Sequence, residues 1–259
     1  LEEIKILAKE IEKAGANMIN TGIGWHEARV PTIATMVPRA AFINVTENIK
    51  PEIDIPIITS NRINTPQMCE TILENKSADM ISMARPFLAD SEFISKAKNN
   101  KSDSINTCIA CIQACLDLVF KNKKASCLVN PFACNETTMQ ISIKSNSKKI
   151  AVVGAGPAGL AFAVTAAECG HQVTVFEKTK EIGGQFNIAK QIPGKGDFYE
   201  TLRYFNQRLK ELKVNISLGV DANQSILQNF DEIILATGVT PRLPNIPGIK
   251  HSKVISYLD

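Results

Sequence analysis

No stretch of this 259-residue chain is apolar for long enough to cross a bilayer. No signal-peptide pattern opens it, so nothing marks it for secretion or for a disulfide framework. An excess of one charge is missing as well. The 29 Lys and Arg residues against 26 Asp and Glu leave a formal charge of +3, which gives no electrostatic footing for nucleic acid. A membrane partner and a nucleic-acid partner are therefore not expected. An initiator methionine is absent too: the chain starts at Leu1, runs straight into a helical pattern and stops at Asp259 after a strand-and-turn segment. It reads as an internal piece of a longer polypeptide, with length enough for two domains.

Cysteine is the residue present in an unusual pattern. Cys108-Ile-Ala-Cys111-Ile-Gln-Ala-Cys115 is answered by Cys127, so four of the seven cysteines fall within twenty residues. If Cys111 and Cys115 lie on one helical turn, both thiols share a face. Four thiolates gathered this way suit an iron–sulfur cluster or a structural zinc. Three crowded cysteines with one distant partner look more like a cubane site than the two separated pairs common for zinc. Neither common ferredoxin spacing is matched. Free thiols and a metal cluster point to a reducing compartment, most simply the cytoplasm. Cys69, Cys134 and Cys169 are expected only to fill apolar space.

The first hundred residues alternate helix and strand. Ile4, Leu7, Ala8, Ile11 and Ala14 recur at helical spacing before Gly15. Short buried strands are predicted at 16–21, 56–59 and 78–83, with helices at 41–49 and 65–74 between them. That rhythm implies a parallel sheet. Three such units fit the last part of an eight-stranded (β/α) barrel, whose chemistry sits on the loops after the strands. Those loops carry His26, Arg62 and Arg85. Arg62 and Arg85 suit a flavin or nucleotide phosphate, although each could equally make a surface ion pair. His26, beside Trp25 after a Gly-Ile-Gly turn, is a candidate site residue. The organisation expected is α/β: residues 1–103 as the barrel part, 104–146 as a cluster segment without clear period, and 147–259 as an incomplete Rossmann-like domain.

That last domain opens with Lys149-Ile-Ala-Val-Val153, then Gly154-Ala-Gly156-Pro-Ala-Gly159, a helix to about 169, and Gln172-Val-Thr-Val-Phe176 closed by Glu177. This is the dinucleotide fingerprint in its proper context. Gly154 makes the tight turn, Gly156 lets the backbone approach a pyrophosphate, and Gly159 allows helix and strand to pack closely. Glu177 can accept from a ribose diol and would repel a 2′-phosphate. The loop itself does not separate FAD from NAD.

Several longer runs resemble one family. Thr21-Gly-Ile-Gly-Trp-His-Glu-Ala-Arg29 with Val30-Pro-Thr-Ile-Ala34 resembles the barrel signature of the bacterial NADPH-dependent 2,4-dienoyl-CoA reductases, iron–sulfur flavoenzymes of the old yellow enzyme superfamily. Ser82-Met-Ala-Arg-Pro-Phe-Leu-Ala-Asp90, Asn106 to Asp117, the Gly154 to Gly159 loop, Glu181-Ile-Gly-Gly-Gln-Phe186 and Ala236-Thr-Gly238 resemble the same family in the same order. 2-Enoate reductases and trimethylamine dehydrogenase share parts of the pattern. The Trp25 to Arg29 run favours the dienoyl reductase.

The resemblance implies FMN, FAD, a 4Fe-4S cluster and NADPH, acting on an acyl-CoA substrate of fatty-acid β-oxidation. Electrons would pass from NADPH to FAD, then through the cluster to FMN and substrate. It implies Cys108, Cys111, Cys115 and Cys127 as cluster ligands, and Arg62, Ala84, Arg85 and Pro86 at the FMN phosphate. Ala158, Glu177, Gln185 and Lys195 would contact FAD beside Gly154, Gly156 and Gly159. His26 would be the catalytic acid, with Glu27, Ala28 and Arg29 around the substrate. The family's barrel begins before Leu1, and its NADPH domain lies mostly beyond Asp259, so the piece alone is expected to be inactive. Two other classes stay open: an electron-transfer module with cluster and FAD only, and a zinc-stapled binding protein. Oligomeric state is not legible, and a monomer is compatible with all of this.

Overall fold

The computed structural model describes residues 1–25, 28–143 and 145–257. The chain divides into two compact units, Leu1–Gln140 with Pro193–Tyr204, and Ile141–Ile192 with Phe205–Asp259. The cluster segment expected to stand apart thus counts largely with the first unit. So does Pro193–Tyr204, which the sequence reading assigned to the Rossmann-like part.

The first unit is built on a three-stranded parallel sheet in the order β1-β2-β3, with β1 at Ile19–Asn20, β2 at Ile57–Thr59 and β3 at Met80–Ile81. Ile19 pairs with Ile57, and Ile58 with Met80. All three residues of β2 are buried, as the central strand of a sheet covered on both faces must be. Helix α1 (Glu2–Lys13) buries Ala8 against Ile49 and Ile57. It ends where Gly15 takes φ +93°, the left-handed conformation that costs glycine little. Helix α2 (Ile43–Ile49) supplies Ile49. Helix α3 (Pro66–Glu74) starts on a proline whose missing N–H is no loss there, and it buries Ile72 against Ile63 and Ala78. Short helices α4 (Arg85–Ala89) and α5 (Phe93–Lys98) follow β3.

Cys111 and Cys115 do not share a helical turn. Ala110 and Ile112 both sit at positive φ, 51° and 57°, so the chain around Cys111 is left-handed and cannot continue as an α-helix. Helix α6 (Leu116–Phe120) begins only after Cys115.

The second unit is a four-stranded parallel sheet in the order β6-β5-β4-β7. Strand β4 (Lys149–Val153) is central and buries Ile150, Ala151 and Val152. It is flanked by β5 (Gln172–Glu177) and β7 (Glu232–Leu235), with β6 (Asn215–Leu218) on the β5 edge. Helix α7 (Pro157–Glu168) crosses from β4 to β5 and buries Gly159, Leu160, Ala163, Val164 and Ala166. Small residues there let it lie close to the sheet. Helix α8 (Phe186–Ala189) and helix α10 (Gln224–Leu227) are single turns, and helix α9 (Phe198–Glu211) begins in the first unit. No helix among the described residues is long and apolar enough to cross a membrane.

Candidate functional site

The first unit carries a cavity of about 400 Å³ at the C-terminal ends of β2 and β3. Ser60, Arg62, Asn64, Ser82, Ala84, Arg85, Pro86 and Cys108 are among its lining residues. The four residues expected at the FMN phosphate are thus brought together. Asn61 and Arg62 are both left-handed, at φ 72° and 55°, which reverses the chain after β2 and turns Arg62 inward. Arg62 is only 5% exposed. A charge so buried needs partners, and it has them: Nε donates to the Val37 carbonyl at 2.7 Å and Nη2 to Asp197 Oδ2 at 2.6 Å. Arg85 donates from Nη1 to the Ile33 carbonyl at 2.8 Å.

Asp197 is the hub of this region. Besides Arg62 it accepts from Arg39 Nε at 2.6 Å, and Asn64 Nδ2 approaches it at 3.5 Å. Burial pushes the Asp197 carboxyl up, but the hydrogen bond and charge of Arg62, with those of Arg39, outweigh burial and hold it below the ordinary carboxylate value. Asn64 Nδ2 also donates to the Cys108 carbonyl at 2.8 Å. Arg203, from the same segment as Asp197, donates to the Ile105 carbonyl at 2.8 Å and to Thr107 Oγ1 at 3.0 Å. The backbone entering Cys108 is therefore pinned from two sides.

Cys108, Cys111, Cys115 and Cys127 all line one second, largely apolar cavity with Leu88, Ile109 and Val129. Arg85 and Cys108 line both cavities. Burial pushes the Cys127 thiol up to about 11, and raises Cys108 and Cys111 as well. Binding a metal must therefore expel protons from these sulfurs. Among the described residues no three Cys, His, Asp or Glu side chains form a group that could hold a metal ion. Four sulfurs on one tetrahedral zinc, each at about 2.3 Å, would have to converge far more closely than four sulfurs placed on separate irons around a shared cluster.

In the second unit the three fingerprint glycines differ sharply. A Cβ on Gly154, at φ +105°, would fall 2.3 Å from the Ala236 carbonyl oxygen, and one on Gly159 would fall 2.0 Å from the Gly154 oxygen. A Cβ on Gly156 would meet nothing within 4 Å. Gly156 precedes α7 and leaves open space where its helix N-terminus presents free N–H groups, the arrangement a pyrophosphate needs. Glu177 is buried against the loop. Its Oε2 accepts from the Ala155 N–H at 2.8 Å, and its Oε1 accepts from the Thr179 N–H and hydroxyl, each at 2.9 Å.

Two family matches fall on these two regions. Residues 2–104 match the NADH:flavin oxidoreductase / NADH oxidase family, and residues 148–259 match the pyridine nucleotide-disulphide oxidoreductases. The chain joins an old yellow enzyme-like flavin oxidoreductase domain to a pyridine nucleotide-disulphide oxidoreductase domain. It is 40% identical to a metal reductase of Desulforamulus reducens, over 99% of this chain and 39% of that protein. It is 35% identical to an NADH oxidase of Thermoanaerobacter brockii, over 99% of this chain and 40% of that one. The solved structure of a 2-naphthoyl-CoA reductase with 2-naphthoyl-CoA superposes with a TM-score of 0.95 at 32% identity, covering all of this chain and 40% of the other. The chain thus spans about two fifths of the length of the relatives it matches.

The flavin oxidoreductase domain holds the arginine cavity, and the cysteine segment follows the residues matched to it. His26 and Glu27 lie outside the described residues. Ala28 is half-buried and Arg29 exposed. In the pyridine nucleotide-disulphide oxidoreductase domain, Ala158 is exposed on the first turn of α7. Gln185 follows the Gly183-Gly184 turn, donates to the Val239 carbonyl at 2.5 Å and accepts from the Tyr257 hydroxyl at 2.9 Å. Lys195 counts with the first unit, its Nζ 5.3 Å from the Phe198 ring centre. Sequence reasoning missed Asp197, Asn64, Arg39 and Arg203. Asp197 stands 135 residues from Arg62, and nothing local in an Asp-Phe-Tyr-Glu stretch signals that pairing.

Glu177 gives a pH test. Burial raises its pKa, but the N–H groups of Ala155 and Thr179 and the Thr179 hydroxyl win, and the folded-state value lies below the usual 4.5. A depressed folded value means stability that is fully present above the unfolded pKa and lost as pH falls through the folded one. We expect Glu177→Gln to lower the unfolding midpoint by a constant amount above about pH 5, with the gap to wild type closing below about pH 4. Denaturant melts across that range read it. A gap that stays constant into acid would mean that the ionised carboxylate is not what the loop uses.

Proposed function

We propose that this chain is part of an NAD(P)H-dependent flavin enzyme that reduces conjugated acyl-CoA thioesters, with 2,4-dienoyl-CoA as the substrate class. One observation supports this most: Cys108 and Arg85 line both the arginine cavity and the cysteine cavity, so groups bound in the two would be immediate neighbours. FMN in the first cavity, a 4Fe-4S cluster in the second and FAD on the fingerprint loop would together turn a hydride from NADPH into single electrons and back into a hydride for the substrate.

The residues divide that work. Arg85, the first residue of α4, would meet the FMN phosphate with Ala84 and Pro86, and Arg62 lines the same cavity. Cys108, Cys111, Cys115 and Cys127 would hold the cluster as thiolates, in a largely apolar cavity that disfavours water. Gly156 lets the FAD pyrophosphate reach the start of α7. His26 would give a proton to the substrate after hydride has arrived, and Glu27, Ala28 and Arg29 are the further residues assigned to the substrate. The three-stranded sheet is the last part of an eight-stranded barrel, and the protein works in the cytoplasm. The thioester class is supported by the likeness to the 2-naphthoyl-CoA reductase at 32% identity over all of this chain.

The test uses the intact polypeptide, prepared without oxygen. About one FMN, one FAD, four irons and four sulfides per chain are expected. NADPH should bleach the flavins, and a 2,4-dienoyl-CoA should reoxidise them faster than a free enoate does. Reoxidation by the free acid alone would move the assignment to an enoate reductase. FAD without FMN would indicate an electron-transfer module, and zinc in place of iron a stapled binding protein.

A further inference from the structure

We propose that Asp197 is a positioning residue for the arginine cavity: it fixes the guanidinium of Arg62 and offsets its charge, leaving Arg85 as the net cation that a bound flavin meets. This rests on the flavin reading of that cavity.

The geometry carries the argument. Arg62 has two of its three nitrogens committed, Nε to the Val37 carbonyl and Nη2 to Asp197. Among the described residues Nη1 has no protein hydrogen-bond partner, and Arg62 lines the cavity. Two bonds at fixed positions prevent the planar fork from turning, so the guanidinium keeps one orientation. The Arg62 and Asp197 side chains are 3% and 5% exposed, so water screens the pair little. Arg39 shares Asp197 and also meets Glu200 at 3.0 Å, a carboxylate that Arg203 Nε binds as well at 2.6 Å. Arg85 differs: its acceptor is the Ile33 carbonyl, and no carboxylate lies within ion-pair distance of it among the described residues. The cavity therefore presents one compensated arginine and one uncompensated one. The compensating group arrives from Pro193–Tyr204, far along the chain from the strands that form the cavity.

The test reads the flavin's reduction equilibrium against a reference dye in the anaerobic intact protein. Asp197→Asn keeps the side chain's shape but adds one net positive charge beside the cavity, so one of the two flavin transitions should shift toward reduced flavin by about tenfold. Arg62→Met should shift the same transition about tenfold the other way. The double variant restores the wild-type net charge and should return to within about threefold of wild type. A purely structural Asp197 would instead make the double variant the most disturbed of the three. Flavin-loaded Asp197→Asn with an unmoved equilibrium overturns the proposal, as does a double variant displaced as far as either single. If Asp197→Asn does not fold, Arg62→Met still decides: a shift toward oxidised flavin supports the pairing, and no shift overturns it. Wild-type protein recovered without FMN would instead defeat the flavin reading of the cavity.

Discussion

Gly156→Ala is expected to weaken dinucleotide binding by about a hundredfold while the domain stays folded, whereas Gly159→Ala should unfold it more readily. The two glycines are three residues apart in one loop, yet the space around them is opposite. A Cβ on Gly156 meets no protein atom within 4 Å, so the protein tolerates it. That direction is where a pyrophosphate must come to meet the free N–H groups of α7. Pushing it away by one methyl group weakens one or two charge-assisted hydrogen bonds, together about 2–3 kcal/mol, or roughly a hundredfold in affinity. Losing glycine at the helix cap costs the fold up to about 1 kcal/mol. On Gly159 the same Cβ lands 2.0 Å from the Gly154 carbonyl oxygen and 3.3 Å from the Ala236 side chain. Helix α7 must then lift from the sheet, an overpacking cost of about 3 kcal/mol or more. Flavin retention on gel filtration and urea melts of both variants separate the two effects. Full retention in Gly156→Ala would sink the dinucleotide assignment of this loop.

On the proposed cofactor set, Cys111→Ser should abolish electron flow between the two flavins. Cys111 sits between two left-handed residues, Ala110 and Ile112, so its sulfur is aimed into the shared cavity by backbone geometry that few residues adopt. Serine keeps that backbone but removes the thiolate, and a cubane left with three thiolates is expected to lose most of its iron and sulfide. In the intact anaerobic protein, NADPH should then bleach only the flavin that it meets directly. The other should stay oxidised, a loss of about a hundredfold or more in its reduction rate, since losing even an outer partner of a metal ligand costs up to about a hundredfold. Iron and sulfide assays with stopped-flow absorbance measure both. Retention of the full iron content would remove Cys111 from the ligand set. Cys134→Ser is the control, since Cys134 lies outside that cavity.

Much of this was legible from local pattern. Helical spacing marked α1, with Gly15 at its end, and the buried apolar runs marked β2 and β4. The fingerprint spacing showed which glycine would be crowded and which would stay open. The four cysteines were picked out by density alone. Their conformation was not: spacing suggested a helical turn, and positive φ on both sides of Cys111 made a loop instead.

What the sequence by itself determined is the set of chemical groups and the short-range frame that holds each one: strand, glycine turn, helix, thiol run. Those depend on periodicity and on the conformational freedom of single residues, which act over a few positions. Only the tertiary structure decided which groups share a cavity and which charges cancel. Arg62 and Arg85 read alike as loop arginines, yet one is locked to a buried carboxylate and the other to a carbonyl. The difference comes from Asp197, a residue placed by the packing of Pro193–Tyr204 with the first unit. A buried ion pair forms wherever folding removes both charges from water together, and no local spacing encodes that meeting.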